Sequence, residues 1–330
     1  MHYVITGAGQ IGTQLAHDLL SDGHEVTIVR RSDRVPDGAH LLRGDAGDPE
    51  LLARAVRGDQ AGGTPATAIF HCIHSSYDSR AWRRDLPQRE ATVMDVAAQA
   101  GIPVVFPESV YAFGRGARDL AEGAELAPAS PLGQMRAELL ATRATHRSTT
   151  LSVVAADLVG PTATAQSSVF RQLVILPAAS GKSPWVMGDP DAARSVTYIP
   201  DLTRAMQAAA DHAAVLAPEG DAVLLSPSTA PLSQRDMAIT AADALGLARP
   251  TVHSIPWPVL GLAGLFSRTL REMHRQRYLW DSPAVLREGR LATEPGLRPT
   301  SWNEVLRSEL AELTTNGSGA VHETLHRQNG

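Results

Sequence analysis

Three glycines near the N-terminus offer the first chemistry that residue type and spacing allow. Gly7, Gly9 and Gly12 stand as G-x-G-x-x-G between the apolar run Tyr3-Val4-Ile5-Thr6 and a stretch with Ile11, Leu15, Leu19 and Leu20 at helical spacing. In a strand, turn and helix of this kind, Gly7 permits the turn, Gly9 clears a path for a pyrophosphate and Gly12 lets helix and strand close together. The helix start, with Gln10 and Ile11, presents free N–H groups to the phosphates. The second β-rich run, residues 25–31, ends in Arg30 and Arg31. A carboxylate there would bind a ribose 2′-hydroxyl, whereas guanidiniums fit a 2′-phosphate, so the expected cofactor is NADP(H). The competing reading is a pair of solvated arginines. Asp45 closes a third run, residues 40–45, within reach of an adenine amino group, while Asp48 reads as a helix N-cap.

The elements that must position these groups alternate. Residues 66–73 form an apolar fourth strand, 89–100 continue a helix, 102–106 a fifth strand, 130–145 a helix and 150–156 a sixth strand. Strand alternating with helix implies α/β architecture: a Rossmann-type doubly wound parallel sheet with a smaller C-terminal α/β substrate lobe. The expected division is a dinucleotide-binding domain over 1–160, its sheet completed by later segments, a substrate lobe over 161–313 and a disordered polar tail over 314–330. Short strands at 196–199, 222–225 and 251–255, with helices near 201–214, 233–246 and 257–280, are expected to build the lobe. The most apolar of these stretches, 259–270, is too short to cross a bilayer and reads as a core-facing helix. Ser301 and Glu304, three apart, form a capping box opening a last helix to about residue 313.

Composition narrows the function. With 30 basic and 35 acidic residues among 330, the net charge of −5 argues against a polyanionic partner, so no nucleic acid is expected. No membrane partner is expected either. A single cysteine, Cys72, excludes an internal disulfide and, with no signal segment before the first strand, fits the cytoplasm. His71 and His74 invite a metal, but strand positions three apart face opposite ways, so none is expected. Gly181-Lys182-Ser183 imitates the end of a P-loop, yet Leu176 stands where its first glycine belongs, and no G-x-S-x-G elbow occurs. The cations Arg268, Arg271, His274, Arg275 and Arg277 read as a solvated or interfacial cluster.

Two further stretches give the chain a family resemblance. Ser109-Val110-Tyr111-Ala112-Phe113-Gly114 follows strand five, and residues 188–202 carry Arg194 ahead of a strand that leads into a helix. With the glycine loop, these resemble the short-chain dehydrogenase/reductase superfamily in its extended form, related to NAD-dependent epimerases and dehydratases. The resemblance implies a serine that holds the substrate oxygen, matched by Ser109, and an arginine facing the substrate, matched by Arg194. It also implies a tyrosine as acid/base with a lysine four residues later. Those two positions hold Leu132 and Arg136. Leucine moves no proton, and Arg136 can hold a ribose or phosphate without acting as a dissociable acid. The chain thus resembles the atypical members, in which Tyr111 and Tyr77 stand as replacement acids and Tyr198 as a weaker one. For each, ordinary buried packing is the alternative. Leu158 and Val159, after strand six, match the family's backbone contact to the cofactor carboxamide.

Three functions compete on these residues. The first is an NADP(H)-dependent oxidoreductase acting on a small carbonyl or hydroxyl compound, as a monomer or homodimer. The second is an isomerase, epimerase or cyclase without net redox, and the third a nucleotide-sensing binding protein.

Overall fold

A computed structural model describes residues 1–164, 167–293 and 295–311. Its first half alternates as the sequence implies: β1 (His2–Thr6), α1 (Gln10–Ser21), β2 (Glu25–Arg30), β3 (His40–Arg43), α2 (Pro49–Arg57), β4 (Ala68–His71), α3 (Ser79–Ala100), β5 (Val104–Ser109), α4 (Pro131–Ala144) and β6 (Thr150–Ala155). Later strands are β7 (Asp157–Val159), β8 (Trp185–Met187), β9 (Val196–Tyr198), β10 (Asp221–Leu225) and β11 (His253–Ile255). The main sheet runs β10-β6-β5-β4-β1-β2-β3, and all its pairings are parallel. This is the doubly wound Rossmann-type sheet.

Both faces of that sheet are apolar because both are covered. Strand alternation sends Tyr3 and Ile5 to one face, where Leu15 and Leu19 of α1 pack with Leu202 and Met206 of the helix Ile199–Asp211. Val4 and Ile69 point the other way, onto Leu52 of α2 and Val93 of α3. Asp48 caps α2 by accepting from the Glu50 and Leu51 N–H groups, as its sequence position implies.

A second group of buried side chains, including Phe170, Val186, Val196, Met237, Leu260, Trp280 and Val305, gathers the later segments around the pairs β11–β8 and β7–β9. Two of the elements expected there lie elsewhere. Residues 222–225 form β10, the edge strand of the main sheet beside β6, and the helix Ile199–Asp211 covers that sheet. The stretch expected as one helix over 257–280 is three, Trp257–Ala263, Arg268–Arg275 and Arg277–Trp280. The first of these meets the core only through Trp257 and Leu260: Val259 and Leu262 are exposed, as are Leu265 and Phe266 in the turn that follows. Residues 302–311 are helical behind Ser301, whose N–H donates to Glu304 as a capping box requires. The expectation for the tail falls on 314–330, outside the described residues.

Candidate active site

Two cavities open at the carboxyl ends of the main strands, where open α/β sheets bind their ligands. The larger, about 420 Å3, lies over the glycine loop and is lined by Gly7, Ala8, Gly9, Val29, Arg30, Arg31, Gly44, Asp45, Cys72, His74 and Arg89 among others. Gly12 is needed for closure, since a Cβ there would stand 2.1 Å from the Gly7 carbonyl oxygen. At Gly9 nothing lies within 4 Å of a Cβ position, so the space that a side chain would fill is open. Gly9 is also the N-cap of α1, no side chain caps that helix, and its first turn contains no acid. The first-turn N–H groups are therefore available to an anion. These features fit a dinucleotide pyrophosphate.

Arg30 is half-buried at the end of β2, and its guanidinium donates to the backbone oxygens of Arg34 and, at 3.5 Å, Ala8. Arg31 is exposed beside it. Neither forms an ion pair with a carboxylate among the described residues, so both present a cation to the cavity. Asp45 sits across from them, gripped by Arg89 through two bonds of 3.2 Å. That grip and the Gly47 N–H hold its carboxyl below the usual carboxylate range. A carboxylate has about four acceptor directions, so Asp45 keeps capacity for an amino group. Arg89, ten residues into α3, escaped sequence reasoning; no local pattern marks a helix residue that reaches back over the sheet edge.

The smaller cavity, about 70 Å3, is lined by Ser109, Tyr111, Asp157, Arg194, Trp280 and Leu286 among others. Ser109 ends β5. Tyr111 follows on the one-turn 3₁₀ start of Val110–Asp119, and its hydroxyl lies 3.0 Å from that of Tyr77, brought in by the loop before α3. Desolvation pushes the Tyr111 hydroxyl up to about 12, with the bond to Tyr77 acting the other way. Burial also raises Tyr77, well above the ordinary tyrosine value. Both hydroxyls therefore keep their protons at neutral pH and can donate them.

Arg194 is fully buried; it donates to the Leu279 carbonyl at 2.8 Å, pairs with Asp157 at 3.1 Å and lies 4.4 Å over the Trp280 ring. Asp157 remains partly open to the cavity. Sequence reasoning singled out its neighbours Leu158 and Val159 but not Asp157, whose pairing with a residue 37 positions later could not be seen locally.

Arg136 turns inward. Its guanidinium lies 4.6 Å over Trp82 and 3.4 Å from Glu108, and it lines neither cavity. Glu108 is buried beneath Ser109, accepting from the Ser109 N–H at 2.7 Å and from Arg143 at 3.0 Å, while Arg143 forks onto Glu90. This charged cluster fixes the floor under Ser109. Leu132 is buried among Trp82, Leu86, Met135 and Leu139, and Trp82 stacks on Tyr111 with centroids 6.5 Å apart. Leu158 packs on the main core, Val159 lies in the second core, and neither lines the smaller cavity. Tyr198 bonds Ser308 in the lobe, away from Ser109. His71 is buried with Nδ1 2.7 Å from Thr6 Oγ1, and no cluster of three or more metal-ligand side chains occurs among the described residues. Cys72, its thiol raised to about 12 by burial, stays protonated.

A family model described as the NAD dependent epimerase/dehydratase family matches residues 3–223. No curated protein matches the chain. Among solved structures it is similar to MoeE5 in complex with UDP-glucose and NAD, with TM-score 0.69, 20% identity and coverage of 96% of this chain and 99% of that one. It is similar also to UDP-glucose 4-epimerase from Thermotoga maritima with UDP-glucose, with TM-score 0.70, 15% identity and coverage of 96% and 99%. A third is dTDP-glucose 4,6-dehydratase from Bacillus anthracis in complex with NAD, with TM-score 0.73, 14% identity and coverage of 96% and 98%.

Proposed function

The chain belongs to the NAD dependent epimerase/dehydratase family, and from that premise we propose that it binds NADP(H) and oxidises or reduces a small carbonyl or hydroxyl compound, with Tyr111 as its acid. The observation that carries this reading is the Tyr111 hydroxyl, protonated and 3.0 Å from Tyr77, beside Ser109 in one cavity. NADP(H), when bound, supplies or accepts the hydride. The glycine loop and the start of α1 hold the pyrophosphate, Arg30 and Arg31 the 2′-phosphate, and Asp45 the adenine amino group. Ser109 donates to the substrate oxygen, Tyr111 gives or takes the proton there, and Tyr77 supports Tyr111 through the shared hydrogen bond. Arg194, its charge balanced by Asp157, forms the far wall, and Arg136 keeps Trp82 and Glu108 in place instead of touching the cofactor.

The test is consumption of NADPH with a panel of carbonyl compounds that includes sugar nucleotides, the ligands named for the similar structures. Turnover with any of them supports the reading. Binding of NADPH without turnover would move the assignment to the second reading or to a binding protein. One observation favours the second: Asp157 lines the same cavity as Tyr111, which puts a carboxylate and a hydroxyl within reach of one substrate. An isomerase or cyclase on that pair would convert substrate with no net loss of NADPH, which product analysis distinguishes.

A further inference from the structure

The hairpin formed by the helices Trp257–Ala263 and Arg268–Arg275 is held firmly at its base and bare at its tip. Arg271 closes the turn, donating to the Gly264 oxygen at 2.8 Å and the Leu265 oxygen at 3.2 Å, and the Ser267 hydroxyl accepts from the Leu270 N–H. Leu260 anchors one edge in the lobe core. The other end is fastened to the loop that carries Tyr77: Glu272 accepts from the Ser79 hydroxyl at 2.7 Å, and Arg268 pairs with Asp78 at 3.1 Å. On this rigid mount Val259, Leu262, Leu265 and Phe266 are 57%, 64%, 65% and 90% exposed. Val259 and Leu262 are three apart on the helix and share one face, and Leu265 and Phe266 stand in the turn that follows. A contiguous apolar face fixed in water marks a contact surface.

Charge indicates what it contacts. Behind the tip come Arg268, Arg271, Arg275 and Arg277, all exposed. Arg268 and Arg275 pair with the buried carboxylates of Asp78 and Glu272, whereas Arg271 and Arg277 pair with no carboxylate among the described residues, so the outward charge is mainly cationic on a chain whose net charge is −5. We propose that this hairpin docks on an anionic phospholipid surface, its apolar tip entering the headgroup boundary and its arginines meeting lipid phosphates. A second copy fits less well. A two-fold contact places the same mainly cationic patch on both sides, so the two sides repel. The docking revises the sequence-level expectation of no membrane partner without requiring a spanning segment; no helix among the described residues is long and apolar enough to cross a bilayer. It would bring the Tyr77 loop beside the lipid.

Co-sedimentation of the full chain with vesicles of phosphatidylcholine, with and without phosphatidylglycerol, tests the proposal. Binding is expected to the anionic vesicles and to weaken as salt is raised. Phe266→Asp should lower it at least about tenfold, and Arg277→Gln about fivefold, the worth of one surface arginine. Melting temperature and NADPH affinity should not change in either variant. Binding no stronger to anionic than to neutral vesicles, or Phe266→Asp binding as well as the parent, would overturn it. So would a dimer in sedimentation velocity that Phe266→Asp dissociates, which would assign the face to a second copy.

Discussion

The two cavities at the sheet's carboxyl end are built from different materials. The dinucleotide crevice is largely backbone, a glycine turn, a helix N-terminus and strand ends, with arginines added at the rim. The smaller cavity brings together side chains from distant segments, Ser109 at the end of β5, Asp157 at the start of β7, Arg194 and Trp280, with Tyr77 reaching Tyr111 from another loop. Backbone sites depend on local geometry and can be read from spacing. Side-chain sites depend on which distant segments meet, and the same fold can rebuild them from different residues.

The sharpest way to break the comparison is at the reaction cavity. Tyr111→Phe should reduce turnover about 10²–10⁴-fold, the usual worth of a positioned acid, while NADPH affinity survives. Full turnover in that variant would remove Tyr111 as the acid and make Tyr77→Phe the next measurement.

The floor beneath Ser109 comes next. Arg143 is 1% exposed and neutralises two buried carboxylates, so Arg143→Met should lower unfolding free energy by about 3–5 kcal/mol in denaturant melts. Unchanged stability would mean that Glu90 and Glu108 find other partners.

In the dinucleotide crevice, Arg30→Ala should weaken NADPH about ten- to a hundredfold and hardly touch NADH, since a charge-assisted bond is worth ~1.5–3 kcal/mol. Fluorescence titration decides it. Equal losses for both cofactors would dissociate Arg30 from the 2′-phosphate.

A last prediction concerns His71, at the end of β4. Burial, reinforced by the Arg143 charge, pushes its pKa down to about 3. The unfolded chain protonates this imidazole near its ordinary value of about 6.5, whereas the folded protein does not. Stability should therefore fall as pH drops below about 6.5, by at most ~1.4 kcal/mol per pH unit, until the folded form is protonated near 3. His71→Asn should flatten the upper part of that slope, from pH 6.5 to about 5, above the carboxylate range. A slope equal to the parent's would assign the dependence to other groups.

The same contrast explains what the sequence disclosed. The glycine spacing, the Asp48 cap and the alternation of strand with helix reflect chain-local forces, and β1 to β6 lie where those forces put them. The edge strand β10 was expected in the lobe, because its residues pair with those of β6 71 positions earlier and no local signal records that pairing. Residues 259–270 read as core-facing because an apolar helical face looks the same in sequence whether or not anything covers it. Ser109 and Tyr111 are close in sequence and line one cavity. Arg136 was expected at the cofactor ribose, and what turns it away is Trp82, 54 residues earlier, whose ring offers the guanidinium a face.

The packing around Leu132 bears on how this region could be changed. Trp82, Leu86, Met135 and Leu139 close over that position, and Arg136 rests on the same tryptophan. A tyrosine placed at 132 would bring its hydroxyl into an apolar nest, and a lysine placed at 136 would abandon the broad contact with the indole. Neither replacement is accommodated until the tryptophan moves, and moving the tryptophan removes the surface against which Tyr111 stacks. Leu132, Arg136, Trp82 and Tyr111 therefore form one unit, in which a change at one position calls for changes at the others.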